Sequence, residues 1–180
     1  MTALLNIYAK IAQLLERADW LVPTLARVVF AGVLAVYFLN SGMTKLGDGI
    51  SGLWTPSVGA YAQIFPRAME AAGYDTDALS IWHSLVVIAG TWAEFILPVL
   101  IVLGLLTRLA ALGMIGFVVV QSLTDLYGHG QWTELGAWFD RFADAIIMDQ
   151  RALWIFLLVV LVIKGAGPVS FDRALKPKAD

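Results

Sequence analysis

The chain has 180 residues, 59% of them hydrophobic and only 14% charged, with a mean hydropathy of +0.77. That balance lies outside the range of water-soluble domains and points to an integral membrane protein, with room for one bundle of about four spans of ~20 residues and none for a separate soluble domain. A formal charge of −2 with no basic stripe speaks against a nucleic-acid partner, and the lack of cysteine excludes disulfides, thiolate or iron–sulfur ligation and thiol redox chemistry on this chain alone.

Taken in chain order, residues 1–20 predict an amphipathic helix lying in the membrane interface. Leu4, Leu5, Tyr8, Ile11, Ala12 and Leu15 share a face, with Lys10, Glu16, Arg17 and Asp19 largely elsewhere. The segment lacks the pattern of a secretory signal and is expected to be retained. Spans follow at about 21–42, 82–106, 109–126 and 152–165. Only a Thr107-Arg108 turn separates the second from the third, so those two helices must be antiparallel neighbours. The connections 43–81 and 127–151 are long and rich in aromatics, and each is expected to carry short interfacial helices. Residues 166–180 form a tail after a Gly-Ala-Gly-Pro stop. The fold class is therefore all-α: a single domain over 1–180, built as a membrane four-helix bundle.

Orientation follows from basic residues. Lys10, Arg17, Arg27, Arg108, Lys164, Arg173, Lys176 and Lys178 lie towards the side of the termini, against Lys45, Arg67, Arg141 and Arg151 on the other. The excess puts both termini in the cytoplasm, as expected for an inner-membrane protein, with both long loops outside.

Polar groups inside the spans are the functional signal. Glu94 sits in the run from Leu85 to Leu106, where fourteen Leu, Ile, Val or Phe residues, each favouring insertion by about 0.3–0.6 kcal/mol, outweigh the ~2.5–3.5 kcal/mol penalty of an acid. A helical step of about 100° places His83, Thr91 and Glu94 on one face. On the first span Arg27, Ser41 and Lys45 share a stripe, and on the third Gln121 aligns with Gly113, with Asp125 beside it. These residues predict a polar seam inside the bundle, with Glu94 and His83 as candidate proton acceptors and Arg27, Lys45, Thr91, Arg108, Gln121 and Asp125 as the surrounding network. Arg27 is the first partner to consider for Glu94, although about 9 Å of helical rise separates them and their side chains lean apart.

Each residue also has a plainer reading. Glu94 is equally a structural pair or a protonated acid bonded to a carbonyl, and Arg27 snorkels to the interface. Lys45 and Arg108 stand at helix ends, where basic residues are ordinary. His83 and His129 without a spacing motif make haem a weak reading, and no metal site is expected. No nucleotide-binding loop, nucleophile elbow or zinc-protease motif occurs.

Three stretches resemble the DoxX family of bacterial membrane proteins. They are Phe38–Leu46 (FLNSGMTKL), Ala93–Gly113 (AEFILPVLIVLGLLTRLAALG) and Gly165–Arg173 (GAGPVSFDR). The resemblance implies a four-helix inner-membrane bundle. It further implies that Lys45, Glu94, Arg108 and Arg27 occupy family positions, and that the protein is a subunit or accessory of a quinone-linked redox system handling sulfur, thiols or oxidative stress. Loop 43–81 is longer than in the shorter members, which leaves the substrate open. The expected partners are the lipid bilayer, a membrane or soluble redox protein and, where it assembles, further copies of itself. The expected cofactor is a quinone. Two other classes stay open: a non-catalytic scaffold recruiting a partner protein, and a small proton or solute carrier.

Overall fold

The computed structural model describes residues 2–176; residue 1 of the predicted interfacial helix and residues 177–180 of the tail, Lys178 among them, lie outside the described residues. Among the described residues the structure is helical, with no regular strand and a single isolated bridge between Leu135 and Ile147. Helix α1 covers Thr2–Arg17. The long helices are α2 (Leu21–Lys45), α5 (Ile81–Leu103) and α6 (Thr107–Gly128), and all three are long and apolar enough to cross a membrane. Between α2 and α5 lie the short α3 (Val58–Ile64) and α4 (Pro66–Ala71). Helix α7 (Gln150–Lys164) has 15 residues, about 22 Å at 1.5 Å each, which is short of a ~30 Å hydrocarbon core. A last turn, α8 (Phe171–Ala174), follows it.

The helices run alternately, so one end of the bundle carries both termini and the α5–α6 turn, and the other carries the two long loops. The core between α2, α5, α6 and α7 is made by Phe30, Leu34, Phe38, Ile101, Met114, Val118, Leu158 and Leu161. Phe38 meets Phe117 and Trp154 edge-on, the arrangement that ring quadrupoles favour. Helix α2 contains a π-turn at Ala31–Ala35, where two consecutive residues, Leu34 and Ala35, are both buried. The extra residue of a π-turn shifts the helical phase, so the inward face is set by Phe30 before the turn and by Phe38, Gly42 and Lys45 after it.

Boundaries differ from the predicted ones where the backbone supplies a stop that hydropathy does not. Helix α5 ends at Leu103 because Gly104 takes a left-handed conformation (φ 68°) and Leu106 follows it (φ 49°). The turn is therefore Gly104–Leu106, and Thr107 opens α6. The first span continues to Lys45 before Leu46 turns extended.

The two loops also differ. Residues 43–81 carry two short helices, as expected, but the stretch between α6 and α7 holds only a turn of 3-10 helix at Trp132–Glu134. Gly130 there has positive φ, and so do Phe139 and Met148, conformations that a continuous helix excludes. The 43–81 segment folds onto the bundle. Ala60, Tyr61 and Met69 bury against Val87 of α5, and the Trp92 indole donates to the Leu53 carbonyl at 2.8 Å while stacking near Trp54. Trp92, too deep for an interfacial belt, thus has its N–H met by this loop.

Candidate functional site

Glu94 is 2% exposed and Lys45 5%. The Lys45 ammonium donates to Glu94 Oε1 at 3.0 Å and lies 2.9 Å from Oε2. Ser41, one turn before Lys45, completes the cluster: its hydroxyl donates to Glu94 Oε1 at 2.8 Å and accepts from Lys45 at 2.8 Å. The partner of Glu94 is therefore Lys45 and not Arg27. The reason is local. Gly42 lies where a Cβ would come within 2.8 Å of the Phe95 ring, so the glycine lets α2 approach α5 closely where Lys45 and Glu94 face each other. The lean of side chains towards their own helix N-terminus also favours this pairing, since Glu94 leans away from Arg27.

Oε2 of Glu94 has no hydrogen-bond partner: the ammonium is close enough for charge attraction but off the hydrogen-bond direction. Glu94 borders a cavity of about 510 Å³ bounded by α2, α5, α6 and α3. Tyr37, Ser41, Lys45, Glu94, Gln121, Asp125 and His129 supply its polar wall. Gln121 donates to the Tyr37 hydroxyl at 2.9 Å, while its own buried Oε1 is unpartnered. The remaining wall is apolar and small, with Ala89, Gly90 and Ala93 from α5 facing Gly113 and Gly116 from α6. Val86 and Val120 belong both to this wall and to the exposed flank of the bundle. The cavity therefore opens sideways between α5 and α6. At the loop end it is roofed by Gln63 and Ile64, and the His129 ring meets the Gln63 carbonyl at 2.9 Å.

Of the predicted residues, the cavity unites Glu94, Lys45, Gln121 and Asp125. It leaves out four. Thr91 is buried and donates to the Val87 carbonyl one turn back, which satisfies it within its own helix. His83 sits in the first turn of α5, held by Ser80 at 2.8 Å and edge-on to Phe65. Arg108 is exposed at the termini end and donates to the Val162 carbonyl at 2.7 Å.

Arg27 closes the termini end. It donates to the Ile101 carbonyl and the Ala166 carbonyl, both at 3.0 Å, and also to those of Val102 and Val169. It thereby binds the carbonyls at the end of α5, of which that of Ile101 also accepts from Gly104 N–H, and fastens the 166–169 turn to them. Asp172 completes the clasp, its carboxylate accepting from Leu106 N–H at 2.7 Å and Thr107 N–H at 3.0 Å, where it caps α6. Burial raises the Asp172 pKa, but those backbone bonds, the nearby Thr107 hydroxyl and the Arg27 charge outweigh it and leave it below its ordinary value. That hydroxyl makes no well-formed hydrogen bond itself.

A residue pattern reasoning passed over is Arg151, counted only as a charge on the far side. It is 4% exposed and binds Asp125 at 2.6 Å and the Ser122 hydroxyl at 3.0 Å. Arg151 lies 29 residues from Ser122 and 26 from Asp125, a separation that carries no local signal, because the partners are joined only by the packing of α6 on α7.

The DoxX family model matches residues 22–124, more than half of the chain and the whole of α5 with most of α2 and α6. The chain belongs to the DoxX family. No curated protein and no solved structure matches it. The matched region holds the Lys45–Ser41–Glu94 cluster and the Arg27 side of the clasp, while Asp172 and Arg151 lie beyond it. This DoxX protein is thus a membrane protein in contact with the bilayer, with helices that meet the length and hydropathy of spans. Among the described residues no group of His, Cys, Asp or Glu is arranged to hold a metal ion.

Proposed function

We propose that this DoxX protein is a four-span inner-membrane subunit or accessory of a quinone-linked redox system, with the cavity beside Lys45, Ser41 and Glu94 holding the quinone headgroup. The carrying observation is the buried Lys45–Ser41–Glu94 cluster in the wall of a cavity that opens towards lipid. In this reading α7 is the fourth span and α1 lies in the interface, its Leu4, Leu5, Tyr8 and Ile11 exposed to the bilayer. The basic excess places the termini end in the cytoplasm.

The wall suits a headgroup that accepts hydrogen bonds when oxidised and donates them when reduced. The Tyr37 hydroxyl carries a donor and Gln121 Oε1 is an acceptor without a partner, while the three N–H groups of Lys45 are spent on Ser41 and Glu94. A bound quinone would supply the two-electron, two-proton couple. The chain itself holds the head at the polar end, excludes bulk water behind Gln63 and Ile64, and offers Glu94 for a proton. Lys45 and Ser41 keep that carboxylate in place. With no cysteine on this chain, electrons from sulfur or thiol substrates must come through a partner protein.

Gly116 tests this reading, because a side chain there meets nothing within 4 Å and would extend into the opening. Gly116→Leu is expected to lower ubiquinone or menaquinone retention in mild detergent by about tenfold or more, as filling a site does, with thermal unfolding unchanged. A wild-type protein that retains no quinone and supports no thiosulfate-dependent quinone reduction with its membrane partners present would overturn it. The scaffold reading is favoured by a different observation: Trp138, Phe139 and Phe142 stand exposed on the loop before α7, a surface for a partner protein. It predicts copurification that survives Gly116→Leu and fails when residues 138–142 are replaced.

A further inference from the structure

At the termini end a cavity of about 650 Å³ lies beside the clasp, between the start of α6, the end of α7 and the segment 165–176. Four cations stand on its wall, Arg108, Lys164, Arg173 and Lys176, and all four are exposed. The wall has two acids, and both are already committed. Asp19 turns both oxygens to the Lys164 ammonium at 2.8 Å, and Asp172 gives its two to the N–H groups of Leu106 and Thr107. Among the described residues, Arg108, Arg173 and Lys176 face no carboxylate within ion-pair distance. Their backbone is nonetheless fixed. Arg108 lies against Gly165 and donates through Nη1 to the Val162 carbonyl at 2.7 Å, while the Arg173 N–H bonds the Ser170 hydroxyl at 3.2 Å. The Asp172 N–H, next in the chain, holds the Gly104 carbonyl at 2.8 Å. The cations are thus presented on a wall that the clasp already holds in shape.

Charge and depth together select the occupant. Cations without carboxylate partners around one cavity call for an anion, and guanidinium with ammonium is the donor set that suits phosphate. Helix α6 has 22 residues, about 33 Å, enough to cross a ~30 Å hydrocarbon core from end to end. Its first residues, Thr107 to Leu109, therefore stand where the acyl region gives way to headgroups. The cavity also has an apolar side. Trp20, Leu106 and Leu109 belong to its wall and are exposed. A free phosphate gains nothing from that surface, whereas an acyl chain covers it, and a tryptophan at the rim suits headgroup depth. A basic pocket between the ends of spans is the arrangement that holds anionic lipid headgroups.

We propose that this cavity is a site for one anionic phospholipid, its phosphodiester held by Arg108, Arg173 and Lys176 and its acyl chains descending over Leu109. The inference rests on α6 being a span and is independent of the quinone reading. The test uses the full-length chain in mild detergent, with native mass spectrometry reading retention of phosphatidylglycerol and of phosphatidylcholine with the same acyl chains. The expected result is one phosphatidylglycerol per chain, held about tenfold more tightly than phosphatidylcholine, with the preference shrinking as salt rises. Arg173→Gln with Lys176→Gln is expected to abolish the preference and leave thermal unfolding unchanged, since neither side chain has a partner among the described residues. Arg108→Gln is expected to weaken it in the same direction. Lys10→Gln with Arg17→Gln removes as many cations from α1, off the cavity wall, and is expected to leave the preference intact. Equal retention of the two lipids by the wild type overturns the site. An equal loss in the α1 double variant does so too, because general attraction to a basic surface then accounts for it. Displacement of phosphatidylglycerol by excess glycerol phosphate, a headgroup without chains, would mark a free-phosphate site and overturn the lipid assignment. The two double variants decide the matter whether or not Arg108→Gln folds.

Discussion

Replacing Glu94 by glutamine keeps the volume of the side chain and removes its charge. Lys45 would then be an ammonium on a residue 5% exposed, held only by Ser41 and a neutral amide. Breaking a buried pair from one side costs about 3–5 kcal/mol, most of it the desolvation of the charge left behind. The loss would be a large part of a typical total stability of about 5–15 kcal/mol. Removing both charges is a different perturbation. Lys45→Met with Glu94→Leu leaves apolar groups in an apolar setting, for which the expected change runs from neutral to about 1–4 kcal/mol of stabilisation.

The assay is reversible unfolding in mixed micelles for the wild type, Lys45→Met, Glu94→Leu and their double, read as a double-mutant cycle beside quinone retention, with Glu94→Gln measured alongside. Each single variant should unfold more readily by at least about 3 kcal/mol, and the double should return to wild type or exceed it. A Glu94→Gln protein within about 0.5 kcal/mol of wild type would refute the buried ion pair as a determinant of stability. Ligand retention then separates roles. Stability regained with quinone retention lost marks the pair as part of the binding site, whereas recovery of both marks it as a pin between α2 and α5.

The clasp at the termini end makes two further predictions. Gly104→Ala should destabilise by about 1–3 kcal/mol in thermal unfolding, because the residue has φ 68° and a Cβ would lie 2.6 Å from Ser170 Cβ and 2.8 Å from Arg27 Cζ, the latter held by carbonyls. Gly116→Ala, in open space on a helix, should instead be neutral or gain about 0.5–1 kcal/mol. Asp172 sets an acid limit: its folded pKa is below the ordinary 3.8, so its contribution is complete above that value and is lost as pH falls through the lower one. Unfolding followed from neutral to acid pH should therefore show a decline below pH 3.8 that is flattened in Asp172→Asn.

Much of the bundle was legible because a membrane solvent leaves few options: a long apolar run must become a helix, and Leu21, Ile81 and Thr107 open helices close to where hydropathy placed them. Glu94, Lys45, Gln121 and Asp125 were legible as members of one interior by helical phase alone. Pairing was not. Choosing Lys45 over Arg27 depends on the close approach at Gly42 and on the re-phasing π-turn at Ala31–Ala35, neither of which periodicity reports. The loop before α7 was misjudged for a related reason: Trp132, Trp138 and Phe142 suggest an amphipathic helix, but the positive φ of Gly130, Phe139 and Met148 prevents one. Arg151 escaped notice because a terminal basic residue is usually solvated, and only the packing of α6 on α7 takes it out of water.

The two ends of the bundle differ in how fully their polar groups are met, and that difference bears on function. At the termini end, Arg27 reaches four carbonyls, Asp172 caps two N–H groups and the Asp172 N–H itself bonds the Gly104 carbonyl at 2.8 Å. Such an arrangement commits both charged side chains to backbone groups and fixes the helices against one another, with the buried Thr107 hydroxyl left unpartnered beside them. In the other half of the bundle, Glu94 Oε2 is met by the Lys45 ammonium through charge alone, while Gln121 Oε1 and Arg151 Nε have no partner. Unmet buried groups each cost about 1–3 kcal/mol, a cost that a bound molecule can reverse. Asp125, on the cavity wall, is also the partner of Arg151, so the polar edge of the cavity is tied to the packing of α6 on α7.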